Sequence, residues 1–382
     1  MIQTLSRRAM LKGGVATAAL FCAQFPFPAL ALDDHEPGTV LPFPEQEATP
    51  KRPMVQWAQL SDWITPLEEF FAVSHYGTAK VDADKWRLEI SGLVHKPKSF
   101  SLADIKARRS REITATLECS GNGAGANFMG AVGNARWRGI PLSTLLRECG
   151  IKPGGIEVVF YGADEKTEKI KDHDYPQHFA RSMSVDDAFQ DKILLAYAMD
   201  GKPLMPEHGF PLRLIVPGWY GIAWVKWLSR IEVLDRRFMG RFMARDYVTI
   251  RGEDEGGAIN WRETSVTRLN VKSIVARLVR RPNGTLSIMA AAWTDGTPLQ
   301  TVELKIDGGS WLSMKLQRTY QARYAWSFWS YDWQNPAPGE HTLVSRATDA
   351  HGIMQPSADD PAIQLKKTYY EANQQYPRKI KL

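Results

Sequence analysis

The chain has 382 residues, 44% of them hydrophobic and 24% charged, a balance that excludes a disordered, collagen-like or low-complexity protein and leaves room for two or three domains with proper cores. The formal charge is +6, but Arg7, Arg8 and Lys12 supply half of it, so the rest of the chain lacks the strongly basic balance of a nucleic-acid binder. Three cysteines, with no Cys-x-x-Cys-His run and no zinc-finger spacing, argue against a covalently attached haem and against structural zinc.

Residues 1–31 read as an export leader. Ser6-Arg7-Arg8-Ala9-Met10-Leu11-Lys12 is basic, Gly13 to Phe21 is apolar, and Ala29-Leu30-Ala31 ends the stretch with small residues at the cleavage spacing. The paired arginines predict the twin-arginine route and a periplasmic protein. That route carries proteins already folded, which suits a cofactor inserted before export. The apolar run is well short of the roughly 20 residues a membrane span needs, so none is expected in the mature chain. Removing the leader also removes Cys22, leaving Cys119 and Cys149, enough for one disulfide in an oxidising compartment.

Residues 32–56 are rich in proline and acid and read as an extended arm. Residues 57–250 mix strand and helix signals. Trp86 to Ile90 and Glu112 to Leu117 alternate like strands, and Ile156 to Tyr161, Ile193 to Tyr197, Leu212 to Val216 and Val225 to Leu234 follow. Ser101 opens a short helix as N-cap with Asp104 at its third position, and Pro141 to Glu148 is a second helix. This part is expected to be mixed α+β. Arg251-Gly252-Glu253-Asp254-Glu255-Gly256-Gly257 reads as a linker. Beyond it, Val271 to Val279, Thr285 to Trp293, Thr301 to Ile306, Ala325 to Trp329 and Glu340 to Thr348 are short strands. Asn283-Gly284 and Asp307-Gly308-Gly309 are turn signals between them. Residues 265–365 therefore predict an immunoglobulin-like β-sandwich, and 366–382 a C-terminal tail.

Two segments carry chemistry. In Thr116-Leu117-Glu118-Cys119-Ser120-Gly121-Asn122-Gly123-Ala124-Gly125 a strand delivers a cysteine into a glycine-rich loop, where backbone approaches a bulky ligand and free N–H groups face anions. By itself this leaves three roles open for Cys119: soft-metal ligand, nucleophile or disulfide half. In the second segment His208, Arg213 and Lys226 lie on adjoining strands and turns, and Arg213 and Lys226 interrupt apolar runs. A charge among core residues is paired or holds an anion. A phosphate suits all three donors; salt bridges to nearby acids are the plainer alternative.

Taken together these segments resemble the sulfite oxidase family of molybdenum enzymes. The resemblance rests on the Cys-x-Gly-Asn loop at Cys119, the His-Gly-Phe-Pro-x-Arg block at His208, Val225-Lys226-Trp227-Leu228, Asn134-Ala135-Arg136-Trp137 and Arg245-Asp246-Tyr247. It runs from about Thr65 to Ser265 and more loosely through the sandwich. The family's fold would make residues 57–250 a molybdopterin-binding catalytic domain and the sandwich a dimerisation domain that builds a homodimer. Cys119 would be the protein thiolate on molybdenum. His75, His208, Arg213 and Lys226 would hold the pterin cofactor, Tyr247 would hydrogen-bond near the arriving substrate, and Arg136 would supply positive field to an oxyanion. The activity implied is oxidation of sulfite to sulfate, with electrons leaving to a separate acceptor, a c-type cytochrome.

The sequence departs from the family at two substrate positions. Val73 stands where an arginine is expected two residues before His75, and no arginine follows Trp293. Losing two charge-assisted contacts costs about 1.5–3 kcal/mol each in anion binding. Arg138, Arg181, Arg241, Arg245 and the excursion from Asp164 to Gln177, with Lys166, Lys169, Lys171 and His173, are candidates to compensate. Two other readings follow: a related molybdoenzyme acting on another substrate, such as a sulfoxide or a different sulfur compound, and a secreted binding protein without catalysis.

Overall fold

Alternating apolar positions dominate this chain, and strands dominate its structure. A computed structural model describes residues 38–44, 53–125 and 129–382. The leader at 1–31 lies outside the described residues. Of the arm, Thr39–Val40 is described as a short strand pairing with Lys272–Arg280 in the second half of the chain.

The expected mixed α+β class is corrected to a mostly β fold. Among the described residues the longest helix is Leu142–Cys149, at 8 residues. The segments with helical signals are one or two turns long and sit on sheets that span the whole chain. Local capping was nevertheless legible. The helix Leu102–Lys106 begins with Ser101 accepting from the Asp104 N–H while Asp104 accepts from the Ser101 N–H, so orphan donors are satisfied reciprocally.

Two five-stranded sheets build the first half. In one, Arg213–Ile215, Leu194–Met199, Val132–Pro141 and Arg111–Glu118 lie side by side, all antiparallel, with Lys202–Pro203 against the second. In the other, Lys98–Phe100, Leu88–Gly92, Leu228–Leu234, Glu157–Ile170 and His173–Ser184 follow in order; the pairing of Leu88–Gly92 with Leu228–Leu234 is parallel. The excursion from Asp164 to Gln177 is the outer part of a long hairpin between the last two strands. Its turn residues Lys171 and Asp172 both have positive φ, 48° and 68°, the backbone twist a tight hairpin requires.

The presumptive linker is a correction too. Val248–Glu255 and Ala258–Ser265 form an antiparallel hairpin turning at Gly256 and Gly257, whose φ values are 71° and 92°. Its acids are cross-strand partners: Arg262 pairs with Glu253 and Glu255. Composition alone could not separate such a charged two-stranded ribbon from a linker.

The second half holds two antiparallel sheets. Thr39–Val40, Lys272–Arg280, Leu286–Trp293, Ser327–Trp333 and Lys315–Leu316 form one; Leu312–Ser313, Leu299–Ile306, Glu340–Asp349 and Arg378–Lys381 form the other. Val275, Leu278, Ile288 and Ala290 of the first share a core with Val302, Leu304, Leu343, Ala347 and Ile380 of the second, a face-to-face sandwich. Arg378–Lys381, within the stretch read as a tail, is thus the last strand of a sheet. The two halves meet through tryptophans. Trp57 stacks on Trp293 at 6.2 Å, and Trp63 and Trp326 each donate their indole N–H to the other's carbonyl, at 3.0 and 2.9 Å. No helix among the described residues is long and apolar enough to cross a membrane.

Candidate active site

The strand Arg111–Glu118 ends at the mouth of a pocket and hands the chain to the loop that begins with Cys119. The loop is tied at once, the Cys119 N–H donating to the Ala131 carbonyl at 2.9 Å and its carbonyl accepting from Asn122 N–H at 2.9 Å. The pocket is lined by Cys119 together with His75, His208, Arg213, Lys226 and Tyr247. Six of the seven site residues expected from the sequence therefore converge. Neither Cys119, which is half-buried, nor the fully buried Cys149 is disulfide-bonded, which removes the disulfide role. Among the described residues no three His, Cys, Asp or Glu side chains cluster into a metal site.

One wall gathers three basic side chains against few acids: Arg213 meets no carboxylate, and Lys226 has Asp164 and Glu207 near it. Arg213 is buried under the ring of Trp137, donates to the His208 and Trp224 carbonyls at 3.0 and 3.3 Å, and meets no carboxylate. Burial lowers its pKa to about 9. Lys226 donates to the Glu207 carbonyl at 3.0 Å; burial, and then Arg213, bring it down to about 7. His208 is lowered to about 4 by burial, with Arg213 and Lys226 adding to it. The Nε of Arg213 and the Oγ of Ser120 are buried without a hydrogen-bond partner. Orphaned donors beside a buried arginine that meets no carboxylate are the complement of an anionic, polar ligand. A phosphorylated pterin carrying a metal fits this set, with Cys119 as the soft thiolate donor.

The other wall is aromatic. His75 Nε2 and the Tyr247 hydroxyl are 2.6 Å apart, and His75 packs against Phe179 and Phe242. Burial, reinforced by Arg241, lowers His75 to about 4, so the ring is neutral at pH 7. Burial, with the Cys119 thiol close by, pushes the Tyr247 phenol well above its usual range and keeps its proton available for donation. Tyr247 has a positive φ of 59° and Trp227, also in the lining, one of 48°, strained conformations for side chains of this size.

Arg136 is the correction. It is not in the lining. It sits on the strand Val132–Pro141, its N–H donates to Asp200 Oδ1 at 2.8 Å, and its Nε lies 3.8 Å from the same carboxylate. Strand register carries it away from the pocket. Of the other cations considered, Arg138 is exposed near Ser110. Arg181 is fully buried, donating to the carbonyls of Phe242 and Val266. Arg241 and Arg245 line a neighbouring cleft with Lys166, Lys169, Glu168 and Asp246. Arg241 is tied to Glu168 and Asp246, whereas Arg245, Lys166 and Lys169 are exposed.

Three further groups, Asp164, Tyr369 and Tyr370, belong to the site. Asp164 lines the pocket, and burial raises it to about 6. The alternation Phe160, Gly162, Asp164 along an inward strand face was the available signal. Tyr370 stacks on Tyr247 at 4.7 Å, and Tyr369 packs tilted against Tyr370 at 4.3 Å. Nothing in the polar segment around them announced that it returns to the site.

Comparison with known proteins matches this arrangement. The family described as "Oxidoreductase molybdopterin binding domain" matches residues 75–242, the stretch that supplies most of the pocket. The sulfite oxidase of Gallus gallus is 29% identical over 329 residues, 80% of this chain and 70% of that protein. The mitochondrial sulfite oxidase of Drosophila melanogaster is 30% identical, over 70% of this chain and 50% of that protein. The crystal structure of the sulfane dehydrogenase SoxCD from Paracoccus pantotrophus superposes with a TM-score of 0.73 at 26% identity, covering 98% of this chain and 94% of that one. Residues 75–242 carry the molybdopterin-binding domain shared with the sulfite oxidases. The matched domain is by description one of oxidoreductases that bind molybdopterin. NADH nitrate reductase 1 of Arabidopsis thaliana is also similar, 30% identical over 310 residues, and the chain spans only 33% of its length. The relatives' names thus cover more than one substrate.

Proposed function

We propose that this protein oxidises sulfite to sulfate. The observation that carries the reading is the juxtaposition, in one pocket, of Cys119 with the His75–Tyr247 hydrogen bond, opposite Arg213, Lys226 and His208. When bound, the molybdenum cofactor supplies the two-electron oxygen-atom transfer. Cys119 holds its metal, and His208, Arg213 and Lys226 hold its phosphate. Tyr247, kept protonated by burial and oriented by His75, donates to an oxygen of the arriving anion. The cleft beside the pocket stands in for the absent arginines: Lys166, Lys169 and Arg245 raise the local concentration of anions.

The remaining parts of the reading rest on the sequence motifs and the family resemblance. Electrons pass singly to a separate c-type cytochrome. The immunoglobulin-like sandwich pairs two copies into a homodimer, and the leader sends the folded protein to the periplasm by the twin-arginine route. A second reading is a different sulfur compound, such as a sulfoxide undergoing reduction. It is favoured by Val73 lining the pocket where an arginine was expected.

Protein purified with its molybdenum loaded decides between them by steady-state ferricyanide reduction. Fast turnover at micromolar sulfite supports the first reading. Absence of turnover, together with sulfoxide reduction by a dye reductant, replaces it with the second.

A further inference from the structure

The Cys119 loop is gripped from the far half of the chain. Glu118, the residue before Cys119, is fully buried. Its Oε1 accepts from Lys272 Nζ at 2.5 Å and from Asn122 Nδ2 at 3.0 Å; its Oε2 accepts from the Trp293 indole N–H at 2.8 Å. Lys272 is itself buried and also donates to the Asn122 carbonyl at 2.9 Å, while Asn122 Oδ1 accepts from the Ala131 N–H at 3.1 Å. Lys272 and Trp293 face each other across neighbouring strands of the sandwich. The later chain adds two bonds to the same loop: Glu371 N–H to the Ser120 carbonyl at 2.8 Å and Gln374 Nε2 to the Gly123 carbonyl at 3.1 Å. A Cβ on Gly123, at φ +96°, would come within 3.3 Å of Lys272 Nζ and of the Ala372 carbonyl oxygen, so the loop is held close on that side as well.

We infer that Glu118, Lys272 and Trp293 are positioning residues that set the direction in which the Cys119 sulfur meets its metal, an inference that rests on Cys119 being the molybdenum ligand. A buried ion pair contributes little stability over an apolar pair of the same volume. What this one provides is orientation: directed hydrogen bonds, each with a satisfied partner, that end one residue from the thiolate. Groups outside the ligand shell that fix a ligand's direction govern metal affinity and activity by 10- to 100-fold. On this account the sandwich is part of the active centre, because it owns two of the three side chains that aim the ligand.

The test uses holoenzyme carrying Glu118→Gln with Lys272→Met, a pair that removes the charges together and strands neither. A second variant, Trp293→Phe, removes one donor and keeps the ring. Molybdenum content, kcat and KM for sulfite, and the electron paramagnetic resonance spectrum of the half-reduced metal are measured on each. The expected result is near-parental molybdenum content, about a tenfold fall in kcat with KM within twofold, and shifted g-values, with smaller shifts in the same direction for Trp293→Phe. Parental g-values and kcat in a molybdenum-loaded Trp293→Phe and double variant overturn the inference. Failure of the underlying reading looks different: Cys119→Ser with a parental spectrum would remove the ligand assignment itself.

Discussion

Cys119 follows the strand Arg111–Glu118 and Arg136 sits on its neighbour in the sheet, yet only one of them reaches the pocket, and the difference gives two predictions. Cys119 opens a turn whose backbone bonds do not depend on its sulfur. Cys119→Ser should therefore keep the thermal midpoint within a few degrees while turnover falls more than about 100-fold, because a hydroxyl is a poor substitute for a soft thiolate donor. Thermal melts beside steady-state kinetics check both halves, and normal turnover would remove Cys119 from the metal. Arg136 instead faces Asp200, whose carboxyl is raised to about 6 by burial and pulled back by the bonds and charge of Arg136. Arg136→Ala should leave KM for sulfite within about twofold and show its effect as a modest loss of stability, the scale of one partly exposed pair. A KM rise of tenfold or more would return Arg136 to the substrate.

At the level of elements, most strands could be read from alternation: Glu112 to Leu117 became Arg111–Glu118, and Glu340 to Thr348 became Glu340–Asp349. Pairing partners could not be read so directly. The hairpins Glu157–Ile170 with His173–Ser184 and Val248–Glu255 with Ala258–Ser265 are charged on both faces near their tips, so no buried face marks them in the sequence. The pocket was legible where catalysis demands unusual residue types: a cysteine in a glycine loop, cations inside apolar runs. It was not legible where ordinary residues are recruited by long-range pairing, as with Tyr370 and Glu118. The long hairpin also makes a functional demand, since Lys166 and Lys169 bring its charge to the cleft beside the pocket. Lys169→Glu combined with Arg245→Glu should raise KM for sulfite about tenfold and flatten the dependence of kcat/KM on ionic strength, with kcat little changed. Kinetics across a salt series check this. Unchanged KM would mean that sulfite enters without help from the cleft.

The molecule as a whole folds with cations buried beyond what its nearby acids offset, and that cost should appear in its pH-dependence before the cofactor is bound. In the folded protein burial brings Lys226 down to about 7 and Lys366 down to about 8. In the unfolded chain both keep an ordinary lysine pKa near 10.4. Between pH 7 and pH 9 the unfolded state therefore binds more protons than the folded state, so raising the pH favours folding. The two histidines lowered to about 4, His75 and His208, are neutral in the folded state across this window and in the unfolded chain keep protons only near its lower end, so they add slope near pH 7 and none toward pH 9. Cofactor-free protein should then show a melting midpoint that climbs from pH 7 to pH 9. Lys226→Met should flatten that climb, leaving the smaller contributions of Lys366 and, near pH 7, of the histidines. Binding the anionic cofactor adds negative charge beside Lys226 and restores its proton, so the loaded protein should also show a shallower climb, on top of the general stabilisation that a ligand of the folded state confers. Differential scanning fluorimetry of loaded and unloaded protein, each with and without Lys226→Met, separates these effects. Equal slopes in all four samples would mean that the Lys226 wall is already neutralised in the free protein and is not the cofactor's anion site.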